Sequence, residues 1–336
     1  MRTAKKHVRP ARIATLAMIG RPNSQERRNE ARLDLLAGVV HAIRARPSWG
    51  NLDALLLPAG FFRLSEWLGP LPALQRVQLI QASDVANGCQ TIARKLSFKS
   101  PGCLVIAGID TNRPSRGFRG DQLAAAFDTQ SCVGLARKIF PVDGDTNSWG
   151  RAPYLLFEPD YDDPGRFLRL ANGQTALLSV CYDAFGLAEL RLGPTTKLRS
   201  FRYAGCWKEG WRWIEPGEAW RWMTRYQTAL LRHRPSLHLI AIHGFERPGG
   251  EVYWQRHGIA TASAALDSVF TVGAGHFAER LPADFRAAPL AANAVPKNQV
   301  RAAHQRRAHG LTALDGFEYR RPRSRMSALI RLFENP

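Results

Sequence analysis

One rhythm in this chain constrains its fold more than anything else. Short, continuous apolar runs alternate with longer stretches whose apolar residues recur at helical spacing. The runs are Ile13 to Ile19, Leu52 to Leu57, Cys103 to Ile109, Thr175 to Val180, Leu237 to Ile242 and Val269 to Gly273. Runs that are apolar throughout, instead of at every second residue, suit strands covered on both sheet faces. Between them, Leu33, Leu36, Val39, Val40 and Ile43 mark one buried helix face, entered through a capping-box pattern in which Asn23 or Ser24 caps and Glu26 follows. A second helical pattern spans Leu74 to Leu96 and a third spans Tyr253 to Leu266. Leu123 to Phe127 and Cys132 to Phe140, joined at Asp128-Thr129-Gln130, read as a hairpin. Strands alternating with helices around a central hairpin predict a layered α/β fold.

The 336 residues suffice for one large domain, and 45% hydrophobic content supplies its core. The expected organisation is a basic leader at 1–10, a domain at 11–285 with a Trp-rich insertion at about 195–235, and a basic tail at 286–336. Loops are expected at 111–120 and from Val142 to about Gly165. The formal charge of +19 favours contact with polyanions without bearing on fold. Five cysteines with no CxxC pair point to neither a disulfide framework nor a zinc site, which fits a reducing, cytoplasmic setting. Ile13 to Ile19 is too short to span a bilayer and lacks a cleavage pattern, so it reads as a buried strand and no membrane association is expected.

In open α/β sheets, functional side chains gather beyond the carboxyl ends of strands. Three such ends carry chemistry here: Pro58-Ala59, Lys138 near Phe140, and Cys181-Tyr182-Asp183. A lysine ammonium near a cysteine lowers the thiol pKa and can stabilise an oxyanion, which suits nucleophilic catalysis. The bland reading is a buried cysteine acting as a small hydrophobe.

The stretch Leu177 to Phe185 resembles the nucleophile segment of the nitrilase superfamily of carbon–nitrogen hydrolases. Leu135-Ala136-Arg137-Lys138-Ile139-Phe140-Pro141 is similar to that family's lysine segment. Arg256 to Ala260, followed by Val272 to Gly275, is similar to its late helix and strand. The resemblance spans roughly residues 11 to 277 and implies a four-layer αββα sandwich. It also implies a thioester on Cys181, with Lys138 and the backbone N–H of Tyr182 holding the oxyanion, and with Asp183 as a structural hydrogen-bonding residue. The family's general-base glutamate follows a proline, and that place holds Ala59 here; the nearest acids, Asp53 and Glu66, do not match it. Glu158 resembles the family's auxiliary acid.

The expected function is cleavage of a small amide or nitrile, impaired by the missing base. The alternative is an inert nitrilase-fold binding or scaffold protein with nucleic-acid or other polyanion affinity, and a third outcome is acyl transfer to an amine. Trp207, Trp211, Trp213, Trp220 and Trp222, around a helix opening near Pro216, are expected to pack on the core or on a second subunit, in keeping with the homodimer the resemblance implies. His238, His243, His257 and His276 lack the context of a metal site, so neither metal nor other cofactor is expected. The basic tail is expected to be solvated, with nucleic-acid binding the less favoured reading.

Overall fold

The chain enters through β1 (Arg12–Ile19) and returns over it in α1 (Asn29–Arg44). The structure, a computed structural model, describes residues 9–66, 68, 71–112, 120–140, 155–156, 163–187, 203–206, 210–213, 216–245, 250–266, 269–278, 290–294 and 308–335. Next come β2 (Ala54–Leu56), β3 (Phe62–Leu64), α2 (Ala73–Gln81), α3 (Asp84–Ser97), β4 (Leu104–Thr111), β5 (Gln122–Phe127) and β6 (Cys132–Arg137). The middle of the chain holds β7 (Leu155–Leu156), β8 (Phe167–Arg169), β9 (Thr175–Val180), α4 (Asp183–Gly186), β10 (Tyr203–Cys206), β11 (Gly210–Trp213) and α5 (Pro216–Arg232). After it come β12 (Leu237–Ala241), α6 (Gly250–Trp254), α7 (Ala260–Ala265), β13 (Phe270–Ala274), β14 (His276–Phe277), β15 (Ala291–Ala294), β16 (Ala308–Gly310), β17 (Asp315–Arg320) and β18 (Ser327–Glu334).

Among the described residues, one sheet runs β17-β18-β1-β2-β4-β5-β6, with β14 beside β1 and β3 beside β4, and a second runs β16-β15-β13-β12-β9-β8. A small third sheet joins β11, β10 and β7. Side chains alternate along β1 as a strand requires. Ile13, Ala17 and Ile19 enter the core shared with Leu177, Leu239 and Val272 of the second sheet. Ala14, Leu16 and Met18 face Leu36, Val39 and Val40 of α1 and Ile92 and Leu96 of α3. Tyr226 and Leu230 of α5 and Ala262 and Ala265 of α7 join the core of the second sheet. The layering is helix, sheet, sheet, helix, the expected αββα sandwich. No helix among the described residues is long and apolar enough to cross a membrane.

The local expectations hold for β1, β9, β12 and the β5–β6 hairpin, where the Asp128 carboxylate accepts from the N–H groups of Gln130 and Ser131 at 2.7 Å each and closes the turn. Two differ. Asn23 and Glu26 exchange the expected reciprocal hydrogen bonds at 2.9 Å, yet they close a turn, and α1 begins later, at Asn29. The single helical pattern from Leu74 to Leu96 is two helices. Ser83 divides them by capping α3, its hydroxyl accepting from the Ala86 N–H at 3.3 Å.

The expected basic tail is a correction. β18 lies antiparallel to β1 from Arg12↔Glu334 to Ile19↔Ser327, β17 pairs with β18, and β15 and β16 extend the second sheet. The segment Ser327–Glu334 is buried along nearly its whole length, with Ala328, Leu329, Ile330, Leu332 and Phe333 in the core, and it covers what would otherwise be an open edge of β1. The arginines at 320, 321, 323 and 325 flank that strand and masked it in the sequence. At the other end, Arg9 reaches back from the expected leader to the buried Asp53 in a two-pronged ion pair of 2.8 and 2.7 Å. The helix near Pro216 is present as α5. The side chains of Trp211, Trp213, Trp220 and Trp222, all of Trp207, and most of the loops expected at 111–120 and 142–165 lie outside the described residues.

Candidate active site

In the first sheet β1, β2 and β4 are parallel, and two antiparallel steps bring β6 back to the same direction. In the second, β9, β12 and β13 are parallel. The two sets of carboxyl ends are stitched together where the Ala59 N–H, just past β2, donates to the Ile242 carbonyl, just past β12, at 3.1 Å. This topology gathers the carboxyl ends of both sets of strands in one place.

Cys181 leaves β9 at φ 49°, a left-handed conformation that is costly for a side chain other than glycine. Its N–H donates to the Ala241 carbonyl at 2.7 Å and its carbonyl accepts from Ala184 at 3.2 Å, which holds the turn between strand and α4. Only 6% of the residue is exposed.

Asp183 is fully buried and accepts from the N–H groups of Ile139 at 2.8 Å and Phe140 at 3.0 Å, while Arg166 lies 3.7 Å from its second oxygen. The guanidinium of Arg166 also donates to the Arg137 carbonyl. Asp183 thus clamps the segment that follows Lys138 to the turn that follows Cys181, the structural work expected of it. Burial pushes its pKa up, against the pull of Arg166 and the two N–H groups. Lys138 is 2% exposed, its N–H donates to the Gln122 carbonyl at 2.8 Å, and its ammonium lies 5.9 Å from the centre of the Tyr182 ring. Tyr182 stacks on Phe185 and meets Trp254 edge-on, at 4.8 and 5.4 Å between ring centres, so an aromatic wall backs the turn. Ala59 is buried at the end of β2. Glu158 lies outside the described residues.

Two residues that sequence reasoning did not select complete the arrangement. His243, two positions past β12, bonds through Nε2 to Oδ1 of Asp110, near the end of β4, at 2.9 Å. The pair bridges the two sheets. Asp110 sits against Gly60, where an added Cβ would stand 2.8 Å from Oδ2 and where φ is +64°. The glycine after Ala59 is therefore what leaves room for this carboxylate. His243 and Cys181 act on each other's protonation, each favouring the charged form of the other.

The electrostatics are mutual. Burial alone would raise the Cys181 pKa, but the Lys138 ammonium and the hydrogen bond and charge of His243 outweigh it, and the thiol is held below its ordinary value. Burial would likewise lower His243, but the Asp110 charge, its hydrogen bond and the Cys181 sulfur push it up to about 10. The resting state these shifts favour is a thiolate–imidazolium pair backed by a carboxylate and a lysine. The buried cysteines elsewhere go the other way: desolvation raises Cys89 and Cys103, and takes Cys132 up to about 12. Among the described residues no group of three His, Cys, Asp or Glu side chains is placed to hold a metal ion.

No family model matches the sequence, nor does any curated protein. Solved structures give weak likeness over nearly the whole chain. An amidase from Nesterenkonia sp. AN1, with a covalent acetamide addition at its active-site cysteine, aligns at 14% identity and TM-score 0.43 over 99% of this chain and 94% of its own. A second structure of that amidase, described as of the nitrilase superfamily, aligns at 14% identity and TM-score 0.44 over 97% and 92%. An N-terminal amidase with an Asn-Glu-Ala peptide aligns at 10% and 0.39 over 71% of this chain and 49% of its own. Likeness of this degree carries no weight on chemistry, which must come from the geometry of this chain's own residues.

Proposed function

We propose that this protein is a thiol-dependent hydrolase of carbon–nitrogen bonds, acting on a small amide or nitrile through a thioester on Cys181. The observation that carries the reading is a buried cysteine at a strained strand end, its thiol pKa drawn below the ordinary value by the Lys138 ammonium. The thiolate attacks the substrate carbon. The Lys138 ammonium, with the Tyr182 N–H, then faces the oxygen or nitrogen on which negative charge gathers, where fixed donors in a dry site act most strongly. With an amide the carbon–nitrogen bond then breaks and the nitrogen leaves as ammonia or amine. With a nitrile the thioimidate first takes up one water before ammonia leaves. In both cases a further water releases the acid from the thioester. The motifs that resemble the nitrilase superfamily support this reading, since they put a nucleophile and a lysine at these two positions. The inert-scaffold alternative finds no support in an ionised thiol.

Ammonia release from short aliphatic amides and nitriles tests the proposal, with intact-mass spectrometry to catch the acyl enzyme. Release that disappears in Cys181→Ala, with an adduct confined to the Cys181 peptide, is the expected result. Equal release by both proteins would defeat it. A product carrying the acyl group on an added amine would assign transfer in place of hydrolysis.

A further inference from the structure

We infer that His243, oriented by Asp110, is the catalytic acid and base of this site and does the work of the acid missing after Pro58. The inference rests on Cys181 being the nucleophile, as proposed above. Three geometric facts carry it. The imidazole bonds to Asp110 through Nε2, so Nδ1 is the ring nitrogen still able to take up and release a proton. The backbone beside His243 is tied to the residue that follows Pro58, through the Ala59 N–H and the Ile242 carbonyl, so the pair occupies the mouth of the same strand end. Gly60 has no side chain where one would strike Asp110. His243 and Asp110 are each about a quarter exposed, so water and a leaving amine can reach them.

The proton balance closes. At rest the proton is on the imidazolium and Cys181 is a thiolate. Attack on an amide carbonyl forms the sulfur–carbon bond and an oxyanion. As the carbon–nitrogen bond breaks, His243 gives its proton to the departing nitrogen and becomes neutral. A water then loses a proton to His243 as its oxygen bonds to the acyl carbon, and the carbon–sulfur bond breaks to return the thiolate. The amide and one water become the acid and ammonia or amine. Part of what raises the basicity of His243 is the thiolate itself. Acylation removes that charge, so the imidazole gives up its proton more readily during the acylated half of the cycle, when a reversible carrier is needed. Asp110 touches neither sulfur nor substrate in this scheme; it is a positioning residue that fixes the ring and stabilises its charged form.

The test uses the full chain and p-nitrophenyl acetate, a probe that acylates thiolates without regard to natural specificity. Wild type should release p-nitrophenolate in a burst and then turn over. In His243→Ala, steady-state release should fall by about 10²–10⁴-fold, an acetyl adduct should accumulate on Cys181, and added imidazole should recover part of the rate. Should that variant fold poorly, His243→Gln, which keeps a polar side chain but cannot carry the proton, should trap the same adduct without imidazole rescue. Asp110→Asn removes the charge and hydrogen bond that raise the His243 pKa, so the alkaline limb of the pH profile, where the imidazolium is lost, should move downward. A His243→Ala protein that deacylates as fast as wild type, with the same pH profile, overturns the inference and leaves the Cys181 thioester standing. Absence of any burst in wild type would instead remove the proposed function itself.

Discussion

Two histidines, one within β12 and one just past its end, are pushed in opposite directions. His238, within β12, is fully buried, bonds to the Ser179 hydroxyl at 2.7 Å, and is driven down to about 3 by burial and the nearby Arg166. His243, two positions beyond the end of that strand, meets a carboxylate from the other sheet and is pushed up to about 10. The interior of the sheet removes solvent and offers a cation and a hydroxyl, so the neutral ring is favoured. The strand end admits water and gathers side chains from both sheets, so the charged ring finds a partner. Position along the strand decides whether a titratable group is structural or available for chemistry.

The interior breaks hardest at Asp183. Asp183→Ala should cost about 3–5 kcal/mol of folding stability, because it strands a buried Arg166 and two N–H groups. Denaturant unfolding measures the loss, and an unchanged midpoint would mean that the clamp is not needed. At the strand end, Gly60→Ala pushes a methyl group against Asp110 from a backbone angle that favours glycine. Displacing the carboxylate by about 1 Å should lower turnover on the order of 10²-fold, with a smaller change in stability. A rate equal to wild type would separate Asp110 from the chemistry.

His238→Gln sharpens the contrast from the other side. It should leave turnover unchanged and cost about 1–3 kcal/mol of stability through the Ser179 hydroxyl. The pH dependence of unfolding should then separate the two rings. A histidine whose folded pKa is depressed stabilises above its unfolded value, near 6.5, and loses that contribution as pH falls toward 3; the acid loss due to His238 should vanish in His238→Gln. A histidine whose folded pKa is raised contributes fully below 6.5 and loses its contribution as pH rises through about 10; that alkaline loss should vanish in His243→Ala.

Much of this was legible in the sequence, and the limits have physical causes. β9 was readable to the residue, because a continuous apolar run ending in Cys181 marks a strand end, and Asp183 was correctly read as structural. Asp110 and His243 were missed although each follows an apolar run, as Cys181 does. Their partnership spans 133 residues and two sheets, and no local spacing encodes such a contact. Weighing only Asp53 and Glu66, the acids nearest Ala59 in sequence, overlooked what other strands deliver; the topology brings a carboxylate from β4 and an imidazole from just past β12 to the same strand end. The strand at Ser327–Glu334 was hidden for a different reason. Overall charge near the carboxyl end outweighed an apolar run that becomes meaningful only once β1 is seen to offer it an edge.

Alkylation of Cys181 by iodoacetamide as a function of pH, followed by peptide mass, reads the lowered thiol pKa most directly. With Lys138 and the imidazolium of His243 beside it, Cys181 should react with a midpoint well below that of an ordinary thiol, about 8.5, while Cys89, Cys103 and Cys132 stay unlabelled in the folded protein. A Cys181 midpoint at or above the ordinary value would contradict the account.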